Sequence, residues 1–292
     1  MARADRTGAT LGALALVAIG AIVIVGENAP PALALPPRAA IDLDLYASVK
    51  NGATPPDAER ADAAGACPRD MIEVEGDFCP YVEQLCLRWL DPPKAEPKLR
   101  CAEFRKTPAC RMATEHNRFC IDTYEWPNRA GALPALSLNW YEAKHSCAAV
   151  GKRLCRDDEW TLACEGQERL PYPYGYSRNK EACNIDKEYR FPDAFVYENL
   201  HTRAAEVLRL EQREPSGARE SCVSPYGVYD MAGNVDEWVV NETGHCNPHC
   251  SGLKGGYWGP VRTRCRPMTT AHDEGFHYYQ NGFRCCADAA KL

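Results

Sequence analysis

One short segment, GHCNPHC at residues 244–250, concentrates side chains that can bind metals or exchange electrons. His245, Cys246, His249 and Cys250 lie within six residues and offer the soft and borderline ligands that transition metals prefer. Pro248 interrupts any regular helix there. The two cysteines can instead form disulfides, with each other or with more distant cysteines. In an oxidising compartment we favour disulfides over a metal site.

The cysteines as a whole indicate where the chain works. All sixteen lie at or after Cys67, an even number spread over the rest of the sequence, which suits an oxidising compartment. Spacing alone does not assign their connectivity. Cys285 and Cys286 are adjacent, so we expect them to enter two different bridges and not one redox site.

The remaining histidines are scattered along the chain. His116, His145 and His201 stand alone, and lone histidines are more often surface or core residues than metal ligands. His272 and His277 follow the GHCNPHC segment and are the further ligands of an alternative metal site. The net charge is −6, and basic residues form no block beyond the first few positions, so we expect no nucleic-acid partner.

The N-terminus resembles an export signal. Arg3 and Arg6 precede an apolar run from Leu11 to Val25, and Ala32-Leu33-Ala34 resembles a cleavage site. We therefore expect residues 1–34 to be a signal peptide. The alternative is an uncleaved membrane anchor, although the run is shorter than the about 20 apolar residues of a typical spanning helix. Either way, we expect export to the periplasm, the cell envelope or the extracellular space.

Composition then divides the chain into a linker and one domain. Residues 35–66 are rich in Ala, Pro and Asp and predict a linker. From Cys67 to the C-terminus at residue 292, the sequence becomes rich in Cys, Trp, Tyr and Gly with short apolar segments, which predicts one domain.

Two helices are predicted inside this domain. Asn139 and Glu142 have the spacing of a capping box, and Gly151 ends the first helix. A second helix is expected to begin near Asp157, capped by that carboxylate, and to stop before Gly166. Elsewhere the segments are short, and no alternation is long enough to predict a large regular sheet.

Motifs in a fixed order then resemble the formylglycine-generating enzyme family, also known as the sulfatase-modifying factor family. GNVDEW, KGGYW and GFRC in this order are specific, and the full set of matching segments extends from Met71 to Cys285. The matching segments are MIEVEGDFC from Met71, FCIDTYEWPN from Phe119, LSLNWYEAKHSCAAVGKRLCRDDEW from Leu136, YPYG from Tyr172, CN from Cys183, YGVYDMAGNVDEW from Tyr226, LKGGYW from Leu253 and NGFRC from Asn281.

The resemblance implies a fold and two disulfides. The fold is a compact α+β domain, similar to C-type lectins, with much irregular structure and, in this chain, many disulfides. The family's helix cysteines match Cys147 and Cys164, and their partners match Cys285 and Cys265 respectively. Free buried thiols are the alternative, which an exported chain disfavours.

The copper site of active family members is not matched here. Those enzymes bind copper(I) through two further cysteines in the loop after Gly-Gly, because soft thiolates suit that ion. In this chain residues 255–265 contain no spare cysteine, and Tyr257 replaces the family's serine. Aligning Cys265 with the second catalytic cysteine would place Pro260 at the first. We therefore expect neither copper nor formylglycine generation.

The resemblance does imply structural calcium. Asn234 and Glu237 supply side-chain oxygens and Val235 a carbonyl at one turn, while Asn184 and the Ile185 carbonyl begin a second site. The alternative at the first turn is a capped turn with Glu237 in a salt bridge.

Two functions from different classes follow. The first is a non-catalytic recognition module that binds an extended peptide or an envelope protein in a groove lined by exposed Tyr257, Trp258, Tyr278 and Tyr279. The second is a metal-dependent oxidase with an altered substrate, whose ligands come from the GHCNPHC segment, with His272 or His277 added. We expect membrane contact only through the N-terminal segment if it stays uncleaved.

Overall fold

The computed structural model describes residues 66–95 and 97–290 of the chain. The predicted signal peptide and nearly all of the predicted linker lie outside these residues. Within them the chain forms twelve strands and four helices. The strands are β1 (Met71–Phe78), β2 (Val82–Glu83), β3 (Cys86–Trp89), β4 (Cys101–Phe104), β5 (Ala109–Cys110), β6 (Glu115–Asp122), β7 (Arg153–Leu154), β8 (Asp236–Val240), β9 (Ser251–Lys254), β10 (Met268–Thr269), β11 (Asn281–Phe283) and β12 (Cys285–Asp288). The helices are α1 (Trp140–Ala149), α2 (Asp157–Glu165), α3 (Ala194–Glu198) and α4 (Arg203–Leu210).

The first four-stranded sheet has the order β1-β6-β12-β7. The opening motif forms β1, which pairs antiparallel with β6 so that Val74 faces Phe119. Both side chains are buried in the main core, because the strand alternates buried and accessible positions. The C-terminal strand β12 lies between β6 and β7 and brings the end of the chain into the middle of this sheet.

The second four-stranded sheet gathers the family motifs. Its order is β10-β9-β8-β11, with β11 parallel to β8 and the other pairs antiparallel. Strand β8 comes from the GNVDEW motif, β9 from LKGGYW and β11 from NGFRC. Two two-stranded pairs, β2-β5 and β3-β4, complete the strands.

The two predicted helices form where expected. The Asn139 side chain accepts a hydrogen bond from Glu142 N and the Glu142 carboxylate accepts one from Asn139 N, so both halves of the capping box are present at α1. Helix α2 begins at Asp157 and ends before Gly166. The predicted cap by Asp157 is wrong, because Arg156 is the N-cap residue and the Asp157 carboxylate accepts from the backbone of the 241–250 loop instead.

Tryptophans fill the interior, and their indole N–H groups bond across elements. Trp140 donates to the Val239 carbonyl at 2.9 Å and Trp238 donates to the Leu138 carbonyl at 2.8 Å. Because a buried polar group without a partner is costly, these bonds fix the position of α1 against the second sheet.

Eight disulfides join all sixteen cysteines, and none is free. Cys147–Cys285 and Cys164–Cys265 are the two pairs that the resemblance implies. Cys285 and Cys286 enter different bridges, as expected. The predicted fold class, an α+β domain with much irregular structure and many disulfides, is confirmed. The other pairs are Cys67–Cys120, Cys79–Cys110, Cys86–Cys101, Cys155–Cys286, Cys183–Cys222 and Cys246–Cys250.

These bridges indicate an oxidising environment for the domain. Across residues 66–95 and 97–290, no helix has the combination of length and apolar character that crossing a bilayer requires.

Candidate functional site

The loop after Gly-Gly, where active relatives hold copper, is closed by aromatic packing. Tyr257 is 7% exposed and Trp258 1% exposed, so the predicted groove lined by these exposed rings is wrong. Tyr279 is also buried, and Tyr278 is half-buried. Burial raises the pKa of Tyr257 to about 12, which leaves its hydroxyl neutral in most physiological conditions.

The cover over these rings comes from residues 187–210. Lys187 N donates to the Trp258 carbonyl at 2.8 Å, and Tyr197 of α3 packs in the same cluster as Tyr257 and Trp258. The Tyr197 hydroxyl lies 3.1 Å from the Ser137 hydroxyl. The segment matches no family motif, so its position over the loop could not be predicted from sequence.

The outer side of the same segment carries protruding apolar side chains. Phe191, Phe195 and Leu200 are 80%, 92% and 78% exposed, and the exposed Tyr189 ring packs edge-on against Phe191 at 4.8 Å between centroids. We call residues 189–200 the aromatic ridge. Large apolar side chains gathered on one surface are typical of a recognition site.

Cysteine chemistry is blocked in the covered loop. Cys265 is buried and bonded to Cys164, and its backbone N–H donates to the Pro171 carbonyl at 3.0 Å. Pro260, at the aligned position of the other catalytic cysteine, has no side-chain donor atom. The disulfide state therefore provides no thiolate pair for copper(I) in this loop.

The predicted calcium turn is occupied by the protein's own donors. Both Glu237 carboxylate oxygens accept from Arg284 at 2.7 Å, and Oε2 also accepts from Trp160 Nε1 at 2.8 Å. Asn234 Oδ1 accepts from Asn184 Nδ2 at 2.9 Å and from Glu214 N at 2.8 Å. Glu237 thus has the salt bridge of the alternative interpretation. Calcium at Asn234, Val235 and Glu237 stays a prediction.

The second predicted calcium position has one oxygen that fits a cation. Asn184 Oδ1 is buried without a hydrogen-bond partner, while the Nδ2 atom of the same amide donates to Gln212 O and Asn234 Oδ1. The neighbouring Ile185 is buried as well. An unpaired buried amide oxygen is costly, and a hard cation is one group that would satisfy it.

A buried carboxyl cluster lies beside the Glu237–Arg284 pair. Glu125 Oε2 accepts from Ser216 Oγ at 3.0 Å and from Asn234 Nδ2 at 2.8 Å. Burial, reinforced by the charges of Asp230 and Glu237, raises the pKa of Glu125 well above its usual range. Burial likewise raises the pKa of Asp230 to about 6. The single guanidinium of Arg284 cannot balance three buried negative charges, so Glu125 and Asp230 favour their protonated, neutral forms.

Lys254 is another buried ionisable group that the sequence did not indicate. Its Nζ donates to the Arg266 carbonyl at 3.0 Å and lies 5.2 Å from the centre of a Trp160 ring. Burial lowers its pKa to about 8. Because the amine is enclosed in the core, its role in this arrangement is structural.

The GHCNPHC segment holds a disulfide between Cys246 and Cys250. His272 stacks on Phe276 with ring centroids 3.8 Å apart, and the His277 ring lies 6.1 Å from Tyr197. In the described part of the chain, no three His, Cys, Asp or Glu side chains are grouped to hold a metal. The lone histidines His116, His145 and His201 are exposed, as expected.

Comparison with known proteins places this geometry in context. A family model described as sulfatase-modifying factor enzyme 1-like domain matches residues 94–289, more than half of the chain. The chain is 26% identical over 166 residues to the inactive C-alpha-formylglycine-generating enzyme 2 of Bos taurus, covering 54% of this chain and 52% of that protein. It is 28% identical over 187 residues to the formylglycine-generating enzyme of Thermomonospora curvata, covering 53% and 55%.

The chain therefore spans about half the length of the curated relatives it matches. Among solved structures, that of CarF is similar with a TM-score of 0.50 at 14% identity, covering 76% of this chain and 98% of that chain. At this identity the likeness concerns the fold alone.

Proposed function

Because this chain belongs to the sulfatase-modifying factor enzyme 1-like family, we propose that it is an exported, non-catalytic member that recognises an extended peptide of a partner protein. The observation that carries the proposal is the pairing of all sixteen cysteines in disulfides, Cys265 included. Thiol chemistry of the family type needs two free thiolates beside the loop at 255–265, and these bonds consume every candidate.

Closure of that loop supports the same conclusion. Tyr257, Trp258 and Tyr279 pack against one another, with ring centroids 5.7 Å to 6.2 Å apart, where a substrate would have to enter. Opening the loop would expose three large aromatic side chains at a hydrophobic cost of several kcal/mol, about 1.5–3 kcal/mol for each.

The aromatic ridge is the surface that we assign to recognition. Three charged groups beside it have partners within the protein, since Arg190 donates to the carbonyls of Arg209 and Glu211, and Glu206 pairs with Arg209. Contacts from Phe191, Phe195 and Leu200 to a partner would therefore be apolar and not ionic. We expect the partner segment to be extended, to carry apolar side chains and to bind with little dependence on salt.

Export is the second part of the proposal. The eight disulfides support an oxidising compartment, and Arg3 and Arg6 before the apolar N-terminal run support translocation. The periplasm, the cell envelope and the extracellular space all meet this requirement, and an envelope protein is the partner that we expect.

The metal-dependent oxidase is disfavoured by the same disulfides. Its ligand set needs the thiolates of Cys246 and Cys250, which are bonded to each other. The imidazole of His272 stacks on Phe276 instead of joining His245 and His249 in a common cluster.

Calcium remains part of the proposal at Asn184, whose buried Oδ1 lacks a hydrogen-bond partner. There the amide oxygen and the Ile185 carbonyl would hold the ion, which would supply only structural stabilisation. Adding calcium to metal-free protein should raise the thermal midpoint, and Asn184→Ala should abolish the rise. Superimposable melts with calcium and with chelator would remove calcium from the proposal.

Peptide display against the purified protein tests recognition. Phe191→Ser with Phe195→Ser should weaken binding of selected apolar peptides by about tenfold or more, as loss of buried aromatic contacts does. The matched control is Tyr81→Ser with Leu87→Ser, which removes two other exposed large apolar side chains, from the β2–β3 region. Equal loss in both double variants, or no enriched peptide at all, would contradict the assignment of the ridge.

A separate measurement tests the absence of catalysis. With copper(I), oxygen and a sulfatase-type peptide containing a CxPxR core, mass spectrometry should detect no formylglycine. Copper-dependent aldehyde that disappears in Cys265→Ser would show that the Cys265 thiol is catalytic, and the non-catalytic proposal would then fail.

A further inference from the structure

One disulfide differs from the other seven in its accessibility. Cys246 is exposed and Cys250 is partly exposed, whereas each of the other seven bridges contains at least one buried cysteine. A partner thiol must reach a sulfur along the bond direction before exchange begins. Cys246–Cys250 is therefore the bridge that offers this approach.

The loop that carries this bridge is held in place by groups other than the sulfur atoms. Buried Asn241 exchanges backbone bonds with both ends, since Cys246 N donates to its carbonyl at 3.0 Å and its own N–H donates to the Cys250 carbonyl at 2.8 Å. The Asn241 amide also donates to the His249 carbonyl at 2.9 Å.

Two carboxylates from other elements hold the same loop. Asp157 accepts from Glu242 N and Thr243 N, both at 3.0 Å, and Glu274 accepts from Cys250 N at 2.6 Å. These bonds do not involve the disulfide, so the loop can keep its position when the S–S bond opens.

The oxidised loop also has an unfavourable local backbone. His245 and Cys246 have φ angles of 50° and 55°, two successive non-glycine residues in the left-handed region. L-residues with a Cβ avoid this region, so hydrogen bonds hold the backbone there: His245 N donates to the Glu242 carbonyl at 2.9 Å and Cys246 N to the Asn241 carbonyl at 3.0 Å.

From these observations we infer that Cys246–Cys250 is a thiol–disulfide exchange site that oxidises an exposed dithiol on another exported protein. A thiolate of the partner attacks Cys246 Sγ, the Cys246–Cys250 bond breaks, and Cys250 leaves as a thiolate that takes up a proton. The partner's second cysteine thiolate then attacks the sulfur of the partner's first cysteine in the mixed disulfide, and Cys246 leaves as a thiolate. The partner loses two electrons and becomes a disulfide, while Cys246 and Cys250 become thiols.

The flanking histidines suit this chemistry. His245 precedes Cys246 and His249 precedes Cys250, so each cysteine has an adjoining imidazole in the sequence. Each imidazole carries ring nitrogens that can donate or accept a hydrogen bond, as the incoming thiol and the leaving sulfur require. This activity uses none of the residues of the aromatic ridge.

Graded reduction of the intact chain tests the accessibility of the bond. The protein is incubated at a series of dithiothreitol concentrations, and its thiols are then labelled by differential alkylation. Mass spectrometry should find Cys246 and Cys250 reduced at a dithiothreitol concentration about tenfold lower than any other pair requires. Circular dichroism should show unchanged secondary structure at that point. Reduction of Cys246–Cys250 together with or after the buried pairs would overturn the inference.

Transfer to a partner is tested with a reduced model peptide that contains two cysteines. Wild-type protein should oxidise about one peptide per molecule, and the double variant Cys246→Ser with Cys250→Ser should oxidise none above background. Trapping uses a one-cysteine peptide activated as its mixed disulfide with thionitrobenzoate, so that attack by a protein thiolate joins the peptide to the protein and releases thionitrobenzoate. Cys250→Ser should trap this peptide on Cys246, and the matched Cys246→Ser should trap at least about tenfold less because Cys250 is less exposed. Equal peptide oxidation by wild type and the double variant would show that this loop does not exchange.

Discussion

At the scale of single residues, the most consequential contacts surround Arg284. Its guanidinium binds Glu237 through two hydrogen bonds and lies near Glu125 and Asp230, all of them buried. The sequence predicts a salt bridge of Glu237 only as one alternative and names no partner for it. Asp230 and Glu237 share one motif, but Glu125 and Arg284 come from two others. Their meeting depends on how distant segments pack, which local spacing does not contain.

This cluster gives the domain a characteristic pH dependence. Burial raises the pKa of Asp230 to about 6 in the folded state, so the folded protein favours the neutral carboxyl. The stabilisation of the folded state by neutral Asp230 is therefore fully present below the ordinary pKa of an aspartate and is lost as pH rises through about 6. A shift of about two pKa units corresponds to about 3 kcal/mol of unfolding free energy.

Replacing Asp230 with asparagine should remove this contribution. Asn adopts positive φ readily, which position 230 requires at 58°. Urea unfolding at about pH 4 and about pH 7 gives the decrease in unfolding free energy between these pH values. This decrease should be up to about 3 kcal/mol smaller in Asp230→Asn than in the wild type. Asp288→Asn is the control, because hydrogen bonding to Arg153 lowers the pKa of Asp288 below the ordinary value of an aspartate, so its effect on stability falls below this pH range. Parallel curves for wild type and Asp230→Asn would contradict the expected shift.

At the scale of elements, local signals predicted α1 and α2 because caps and glycine stops act within a few residues. Asn139 with Glu142 forms the expected capping box, and Gly166 ends α2. The burial of Tyr257 and Trp258 could not be predicted from such local signals. Residues 187–210, a segment without a motif, cover these two side chains. What covers an aromatic side chain is decided by tertiary packing.

The capping box makes a measurable contribution to α1. Asn139→Ala removes the acceptor for Glu142 N and should lower the unfolding free energy by about 1 kcal/mol. The matched variant Glu142→Gln keeps an acceptor for Asn139 N and should cost clearly less. Thermal or urea unfolding of both variants measures the difference. Equal losses would mean that the charge of Glu142, and not the box, stabilises the helix end.

At the scale of the whole molecule, the disulfides determine how strongly distant parts are joined. Cys147 and Cys285 are 138 residues apart, whereas Cys246 and Cys250 are separated by 4. Family resemblance predicts Cys147–Cys285 and Cys164–Cys265, but Cys155–Cys286, which is also long, follows only once β7 and β12 are seen side by side.

Removing the two kinds of bridge should therefore have different effects. In the chain-entropy account, replacing Cys164 and Cys265 by serine should cost about 4 kcal/mol, because with Cys155–Cys286 intact this bridge still closes a loop of about 30 residues. Replacing Cys246 and Cys250 should cost about 2 kcal/mol. Urea unfolding of the two double variants measures both values. A greater loss for the short bridge than for the long one would be inconsistent with this account and would assign Cys246–Cys250 a mainly structural role.

The position of β12 also dictates an order of events during synthesis. The bridges Cys67–Cys120, Cys79–Cys110 and Cys86–Cys101 lie within the first part of the domain and can close while the rest of the chain is still emerging. Cys147 and Cys155 cannot form their bridges until Cys285 and Cys286 arrive, 138 and 131 residues later along the chain. A chain interrupted late in translation would therefore carry unpaired thiols, which quality-control machinery can distinguish from a finished molecule.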